Sequence, residues 1–199
     1  MATGPRIFAG FVRSTLDTID RVDANLGARV RASLKPETRH ALEVASAVSY
    51  VPVEIDVEVT ERLFDAAGTT RACEVLRENL SISLETPLLS ALVSGALRLF
   101  GRVPARVLGW ASKTWSQIYR DAGTMEWVAE GNGAGRLELR DLPSCAVASR
   151  PYLIGIAAAM NAGLEMIGVE GDVQLESVDV AARSVTLRVL DTGRITSPA

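Results

Sequence analysis

The stretch from residue 104 to residue 190 constrains the fold most, because two helix patterns alternate there with two hairpin patterns. The first helix places its apolar residues at helical spacing and is expected to end at Gly123. Strand alternation follows on both sides of a glycine-rich turn at 131–135, and again around a turn at 179–183. The pattern predicts an α+β fold, in which a helical N-terminal half packs on a four-stranded antiparallel sheet built from two helix–hairpin units.

The helix between the two hairpins, from Pro151 to about Ile167, is predicted to lie at the centre of the domain. Ser149 is its expected N-cap, and Gly168 its expected end. One stripe of this helix is apolar and consists of Leu153, Ala157, Met160, Leu164 and Ile167. The stripe beside it consists of small residues: Gly155, Ala159 and Gly163. A helix with this little polarity is covered on most sides. The small stripe predicts close approach of another helix of the same chain.

The N-terminal half shows helical patterns joined by short connections. An amphipathic helix is predicted from Phe11 to Leu26, ended by Gly27, and a second helix is predicted to start at Pro36. An extended connection at 49–56 precedes a short helix that Gly68 ends, after which Thr69 or Thr70 caps the next helix. A further helix is expected after Pro87. We predict one domain over residues 1–190 and a flexible tail over 191–199.

Composition excludes several classes of function. The net charge of −3 leaves no basic excess for neutralising nucleic-acid phosphates. Apolar runs are broken by charge or glycine before they reach the length of a membrane span, and the N-terminus has no signal-peptide pattern. The two cysteines are too few for a disulfide framework. We therefore expect a cytoplasmic protein with reduced thiols.

The residues that commonly carry chemistry are isolated in this sequence. His40 is the single histidine and has no ligand cluster around it in sequence, so a structural role is favoured over haem or metal binding. Cys73 lies on a helical apolar face, where a thiol usually behaves as a small hydrophobe. The glycines at 131–135 precede a strand rather than a helix, which favours a turn over a phosphate loop. The sequence thus predicts no catalytic residues, no metal site and no cofactor.

Two apolar surfaces remain as candidate binding regions. Cys73, Trp115, Trp127 and Met160 are the candidate lining of an apolar pocket, with core packing as the alternative. The broad apolar face of the N-terminal helix is the candidate interface, because a terminal helix is free to dock on a second copy of the chain. Phe11, Ile19 and Val22 are its predicted contacts, and a homodimer or another protein partner is expected.

Four short features occur along most of the chain's length: Phe8-Ala9-Gly10-Phe11, Tyr50-Val51-Pro52, the Gly101–Pro104 turn, and the pattern from Trp115 through the glycine-rich hairpin to Leu190. In these features the chain resembles a paralogous family of uncharacterised myxobacterial proteins. That family is in turn similar to the ligand-binding fold of nitric-oxide signalling and Golgi transport. This fold includes haem-nitric-oxide-binding domains, the four-vinyl-reductase regulatory domain and the small TRAPP tethering subunits.

The resemblance implies a function class for this chain. Haem-binding members use a histidine on the helix before the sheet, and residues 88–122 contain none here. Four-vinyl-reductase members tend to carry a cysteine cluster near the C-terminus, and no cysteine follows Cys145. TRAPP-like members are non-enzymatic, pair through helices, and in some cases hold an acyl chain. The resemblance implies a non-enzymatic binding or scaffold module acting through protein contacts. The alternative is a sensor domain that binds a small apolar or acyl ligand between helices and sheet.

Overall fold

The computed structural model describes residues 4–46, 48–85, 104–131, 134–166 and 169–195. The predicted helix after Pro87 lies outside these residues. The helices are α1 (Ala9–Val22), α2 (Ala24–Ser33), α3 (Pro36–Val44), α4 (Val53–Glu85), α5 (Pro104–Ile118), α6 (Ser144–Ala148) and α7 (Arg150–Met166). The strands are β1 (Arg6–Phe8), β2 (Tyr50–Pro52), β3 (Tyr119–Arg120), β4 (Thr124–Gly131), β5 (Ala134–Arg140), β6 (Val169–Asp179) and β7 (Ser184–Ile195). No helix in the described ranges is long and apolar enough to cross a membrane.

The predicted four-stranded sheet is present, with strand order β4-β5-β7-β6 and antiparallel pairing throughout. Side chains on its inner face are buried in the core, as shown by Leu137, Leu139 and Leu187. The outer face carries ion pairs, including Arg140 with Glu138 at 2.6 Å. This alternation places one face on the helices and the other in solvent, so the predicted α+β class is confirmed.

Both predicted hairpins form, and the second is longer than expected. Gly131 pairs with Ala134 across the first turn, of which residues 132 and 133 lie outside the described residues. Asp179 pairs with Ser184 across the second turn. Strand β7 continues to Ile195, which pairs with Val169. Residues 191–195 are therefore strand rather than the predicted tail, and 196–199 lie outside the described residues.

The first two helices meet at a different residue from the one predicted. Helix α1 ends at Val22, and Asp23 starts α2 by accepting hydrogen bonds from the backbone N–H groups of Asn25 and Leu26 at 2.9 and 3.0 Å. Gly27 does not end a helix but lies inside α2, where a Cβ atom would be 1.8 Å from Asp20 Oδ1. The glycine at this position permits close helix packing, and the aspartate supplies the break.

Helix α4 is divided by Gly68, as predicted. This glycine has φ 73° and ψ 166°, a conformation that residues with a Cβ atom rarely adopt. The helix resumes immediately beyond it and continues to Glu85. The two halves of α4 therefore point in different directions and carry different buried clusters.

A three-stranded sheet, ordered β2-β1-β3, was not predicted from the sequence. Residues 119–120, expected in the helix that Gly123 ends, form β3 instead, and Ile7 on β1 pairs with Tyr119. Gly123 lies in the turn before β4 with φ 86°. Two or three residues per strand are too few for a periodic signal, and the pairing is long-range.

Helix α7 occupies the predicted central position. The N–H of Tyr152 donates to Ser149 Oγ at 3.4 Å, which confirms the N-cap, while Ile167 and Gly168 lie outside the described residues. At Gly155 a Cβ atom would lie 2.9 Å from Leu76 Cδ1 of α4, so the small stripe admits a second helix at this point.

Asn161 fastens α7 to strand β6. Its Oδ1 accepts a hydrogen bond from the N–H of Val173 at 2.8 Å, and its Nδ2 donates to the carbonyl of Val173 at 3.2 Å. The side-chain amide is therefore paired on both sides within a buried environment.

Candidate functional site: a buried carboxyl–tyrosine cluster

Three polar side chains that are far apart in sequence meet in the core, and we call them the Asp56 cluster: Asp56, Tyr119 and Tyr152. The Tyr152 hydroxyl donates to Asp56 Oδ2 at 2.8 Å, and the Tyr119 hydroxyl lies 3.4 Å from the same oxygen. The two hydroxyl oxygens are 2.8 Å apart. Relative exposures of 3%, 8% and 4% show that all three residues are buried.

Local structure fixes each member of the Asp56 cluster. Asp56 lies in the first turn of α4, where the helix dipole favours a negative charge. Tyr119 follows α5 directly and stacks on Trp115 with ring centroids 4.1 Å apart. Trp115 is itself held by a hydrogen bond from its Nε1 to the carbonyl of Gly123 at 3.2 Å. Tyr152 lies in the first turn of α7, which Ser149 caps.

Burial dominates the electrostatics of the cluster. Burial raises the pKa of Asp56 from 3.8 to about 6, which outweighs the opposite effect of the hydrogen bonds from Tyr152 and Tyr119. Burial and then the charge of Asp56 raise the pKa of both tyrosines well above 10. The tyrosines therefore remain neutral hydrogen-bonding groups near neutral pH, while Asp56 changes its protonation state near pH 6.

The sequence predicted neither the cluster nor its members. Asp56 was part of an extended connection in the predicted structure, although two acidic residues shortly after Pro52, Glu54 and Asp56, are consistent with a first helical turn. Separations of 63 and 96 residues along the chain leave no local spacing that could have joined the aspartate to Tyr119 and Tyr152. A buried acid of this kind emerges from the tertiary fold.

The four predicted pocket residues come from four elements of the fold. Trp115 of α5 is buried and adjoins the Asp56 cluster through its stack on Tyr119. Cys73 of α4, Trp127 of β4 and Met160 of α7 are half-buried and pack against the core. Burial raises the pKa of the Cys73 thiol, with a smaller opposing effect from Arg77, so the thiol is not activated. Trp115 thus has a packing role, and the other three remain candidates for a pocket.

Trp127 lies across Gly135 of the neighbouring strand. A Cβ atom at Gly135 would be 2.4 Å from Trp127 Cη2, so the glycine makes room for the indole ring. The indole Nε1 is buried and has no hydrogen-bond partner in the described part of the chain. Within the described residues the ring is therefore held by packing.

The three predicted interface residues do not lie on one exposed surface. Ile19 has an exposed fraction of 0% and belongs to the core of its own chain. The prediction that Ile19 contacts a partner is therefore wrong, because α1 uses that face to pack on α2 and α4. Phe11 and Val22 are half-buried against the same core. The homodimer itself stays a prediction.

A second buried polar group joins α1 to the far half of α4, and we call it the Asn79 cluster: Asn79, Ser14, Thr15 and Thr18. Asn79 Nδ2 donates to Thr15 Oγ1 at 2.9 Å, while Asn79 Oδ1 accepts from Ser14 at 2.8 Å and from Thr18 at 3.3 Å. An open groove of about 300 Å³ lies beside it, lined by Gly10, Arg13, Ser14, Asp17, Thr18, Arg21 and Ile82.

The chain has the fold of haem-nitric-oxide/oxygen-binding (H-NOX) domains. A solved structure of the H-NOX protein from K. algicida, in the Fe(II) unliganded form, superimposes with a TM-score of 0.61 at 9% identity, covering 96% of this chain and all of that one (100%). A mutant structure of T. Tengcongensis H-NOX gives 0.60 at 12% identity, covering 94% of this chain and 98% of that chain. An oxygen-binding H-NOX domain related to soluble guanylate cyclases gives 0.58 at 12%, with 97% and 99% covered. No protein-family profile and no curated protein matches the chain.

The residues present do not fit a histidine-ligated haem. His40 is exposed on α3, a helix of the N-terminal half rather than the helix before the sheet. Residues 86–103, which the structure does not describe, contain no histidine, cysteine, tyrosine or methionine. The buried hydroxyls of Tyr119 and Tyr152 are already directed at Asp56 and at each other. Among the described residues no group of three or more metal-ligating side chains comes together.

Proposed function

We propose that this chain is a small-molecule sensor domain of H-NOX fold that works without a histidine-ligated haem. The observation that carries this proposal is the structural match to ligand-binding domains over 94–97% of the chain. The side chains present, however, do not supply a histidine ligand for haem on the helix before the sheet. A fold shared at this level supports the sensor interpretation at the level of architecture, and the ligand has to be argued from the residues of this chain.

The ligand class that the residues favour is small and apolar. The candidate lining of Cys73, Trp127 and Met160 offers a thiol, an indole and a thioether, and none of these is charged at neutral pH. Half-buried Met and Trp side chains adapt to apolar partners through dispersion contacts. An acyl chain or a comparable apolar molecule between helices and sheet is therefore the proposed ligand, and we propose no catalytic role for the domain.

A scaffold function through α1, predicted from its amphipathic pattern, has less support. The apolar face that suggested it is occupied by intramolecular packing at Val12, Leu16 and Ile19. The match to H-NOX structures adds nothing in favour of a protein-contact role. Homodimer formation and membership of the myxobacterial family stay predictions that the same purified sample can address.

Native mass spectrometry and absorbance spectroscopy of the purified chain test the proposal. We expect a retained organic molecule, or saturable uptake of a fatty acid supplied in excess, together with no Soret band. A Soret band that survives gel filtration would show that haem binds after all. A ligand-free dimer that takes up no fatty acid would instead support the scaffold interpretation.

A space-filling variant locates the ligand. Met160→Trp adds bulk at the half-buried position on α7 and should abolish fatty-acid uptake if Met160 lines the pocket. Val180→Trp is the matched control, since Val180 is exposed in the β6–β7 turn. Equal uptake by both variants, with comparable melting curves, would place the ligand elsewhere.

A further inference from the structure

We propose that the Asp56 cluster is a proton-operated latch, which fastens α4 to the start of β3 and the start of α7 when Asp56 is protonated and loosens this junction when Asp56 is ionised. The inference concerns the regulation of the fold and does not depend on which ligand the domain binds. Its basis is geometric: a buried carboxyl, with two hydroxyls as its side-chain partners, sits where three separate elements meet.

Hydrogen-bond counting distinguishes the two protonation states. An ionised carboxylate has about four acceptor positions. Here it receives one hydrogen bond of 2.8 Å from Tyr152 and a longer one of 3.4 Å from Tyr119. When both hydroxyl hydrogens point at the carboxylate, the two tyrosines have no further hydrogen to donate. Part of the negative charge then has no hydrogen-bond partner. A neutral Asp56 can itself donate, so the same three groups form a satisfied chain with fewer acceptor positions left empty.

Among the described residues, no charged side chain on the surrounding elements forms an ion pair with Asp56. Arg6 of β1 donates to the carbonyl of Tyr50, and the Arg120 guanidinium of β3 lies 3.8 Å above the Tyr50 ring. Glu58, two residues further along α4, accepts from the N–H of Lys35 and the hydroxyl of Thr38, both at 2.7 Å. Other titratable or charged groups on the packed elements are half-buried or exposed. They include Glu54, Glu61 and Arg62 of α4, Asp20, Arg29 and Arg31 of α1 and α2, Lys113 of α5, Cys145 of α6 and Arg150 of α7.

Because of where the latch lies, the protonation state of Asp56 affects how neighbouring elements are held together. The cluster joins the helical half to the first turn of α7, and α7 in turn holds β6 through Asn161. The cost of an unsatisfied buried charge is reduced when water enters, which requires the three elements to separate locally. Ionisation of Asp56 therefore favours local opening where α4, β3 and the start of α7 meet.

Hydrogen-exchange mass spectrometry of the full chain between pH 5 and pH 8 tests the latch. After correction for the intrinsic exchange rate, amides at the start of α7 and in β3 should lose at least ~10-fold in protection as the pH rises past 6 in the wild type. Asp56→Asn preserves the shape and removes the titration, so its corrected protection should be independent of pH. Asp65→Asn is the control, because Asp65 is an exposed carboxylate on the same helix; it should behave like the wild type.

Three results would overturn the proposal. The first is a wild-type protein whose corrected protection does not change with pH, whatever the variants show. A pH response that Asp56→Asn retains would assign the effect to another group. If Asp56→Asn fails to fold, Tyr119→Phe is used instead: loss of one donor should move the wild-type transition to higher pH, and an unmoved transition counts against the latch.

Discussion

The two buried polar clusters on α4 show how the same helix uses polarity in opposite ways. Beyond Gly68, the Asn79 cluster consists of an amide and hydroxyls, and Asn79 uses both its donor and acceptor atoms on α1. Before Gly68, the Asp56 cluster contains an ionisable acid whose hydrogen-bonding needs change with its charge. Both are buried and both join α4 to another helix, yet only the second contains a group that titrates near neutral pH.

The difference separates a constant connection from a variable one. A neutral network contributes the same stability at any moderate pH, because none of its members changes charge. A buried acid links stability to proton concentration. One half of α4 is therefore fixed on α1, whereas the attachment of the other half to α7 depends on pH.

The largest expected effect is the pH dependence of unfolding that Asp56 confers. Its carboxyl has a pKa of about 6 in the folded chain against 3.8 ordinarily, so the folded chain binds the proton more tightly. The resulting stability is fully present below pH 3.8 and is lost as the pH rises through 6, and it amounts to about 3 kcal/mol. Urea unfolding from pH 4 to pH 8 should show this loss in the wild type, relative to Asp56→Asn. Parallel curves for the two proteins would contradict the prediction.

Asn79→Ala should destabilise the fold by about 2–3 kcal/mol, since Thr15, Ser14 and Thr18 lose their shared partner in a buried site. Unlike the effect of Asp56, this loss should be the same at pH 5 and pH 8. Urea unfolding at both values measures it. Asn25→Ala, at an exposed position of α2, is the control and should change stability little. A pH-dependent loss in Asn79→Ala would remove the distinction between the clusters.

Gly68→Ala should cost about 2 kcal/mol, because an alanine at this φ and ψ is strained. The substitution tests whether the bend that separates the two clusters is required. Gly163→Ala on α7 is the matched control, since a Cβ atom there meets nothing within 4 Å. Thermal unfolding should show a lower melting temperature for the first variant and an unchanged or higher one for the second. Equal melting temperatures would indicate that α4 tolerates a straight conformation.

The smallest effect is expected from Tyr152→Phe, at about 1 kcal/mol near pH 5. Hydrogen bonds to a charged acceptor are stronger than those to a neutral one, so the cost should increase by pH 8. Unfolding in urea at the two pH values gives the difference directly. Tyr50→Phe serves as the control, because the Tyr50 hydroxyl donates to a backbone carbonyl, that of Gln117, at 2.8 Å. A cost for Tyr152→Phe that is equal at both pH values would argue that Asp56 does not change charge.

Sequence patterns predicted those parts of the fold that depend on neighbouring residues. Ser149 and Pro151 located the start of α7, Gly68 located the break in α4, and alternation located β4 and β5. In each case the information lies within a few residues, as caps, breakers and periodicity require. The paired hairpins then followed from the strand patterns and their turns.

The errors and omissions involve contacts between distant residues. Gly27 was interpreted as a helix end although it accommodates Asp20, and Ile19 was assigned to an interface although it is buried in the core. Strands β1, β2 and β3 form because Arg6 meets Pro52 and Arg120 across long separations. The Asp56 cluster depends on the same kind of tertiary proximity. Neighbouring residues along a single sequence carry no signal for such contacts.

The side-chain amide of Asn161 affects whether strands of two molecules of this protein can pair. Strand β6 is an edge of the main sheet, and an edge strand offers free N–H and C=O groups to any strand that approaches. At Val173 both of these groups are already bonded to Asn161 of the same chain. A strand from another molecule could pair there only by displacing the amide, so α7 protects this edge against intermolecular strand addition and the aggregation that begins with it.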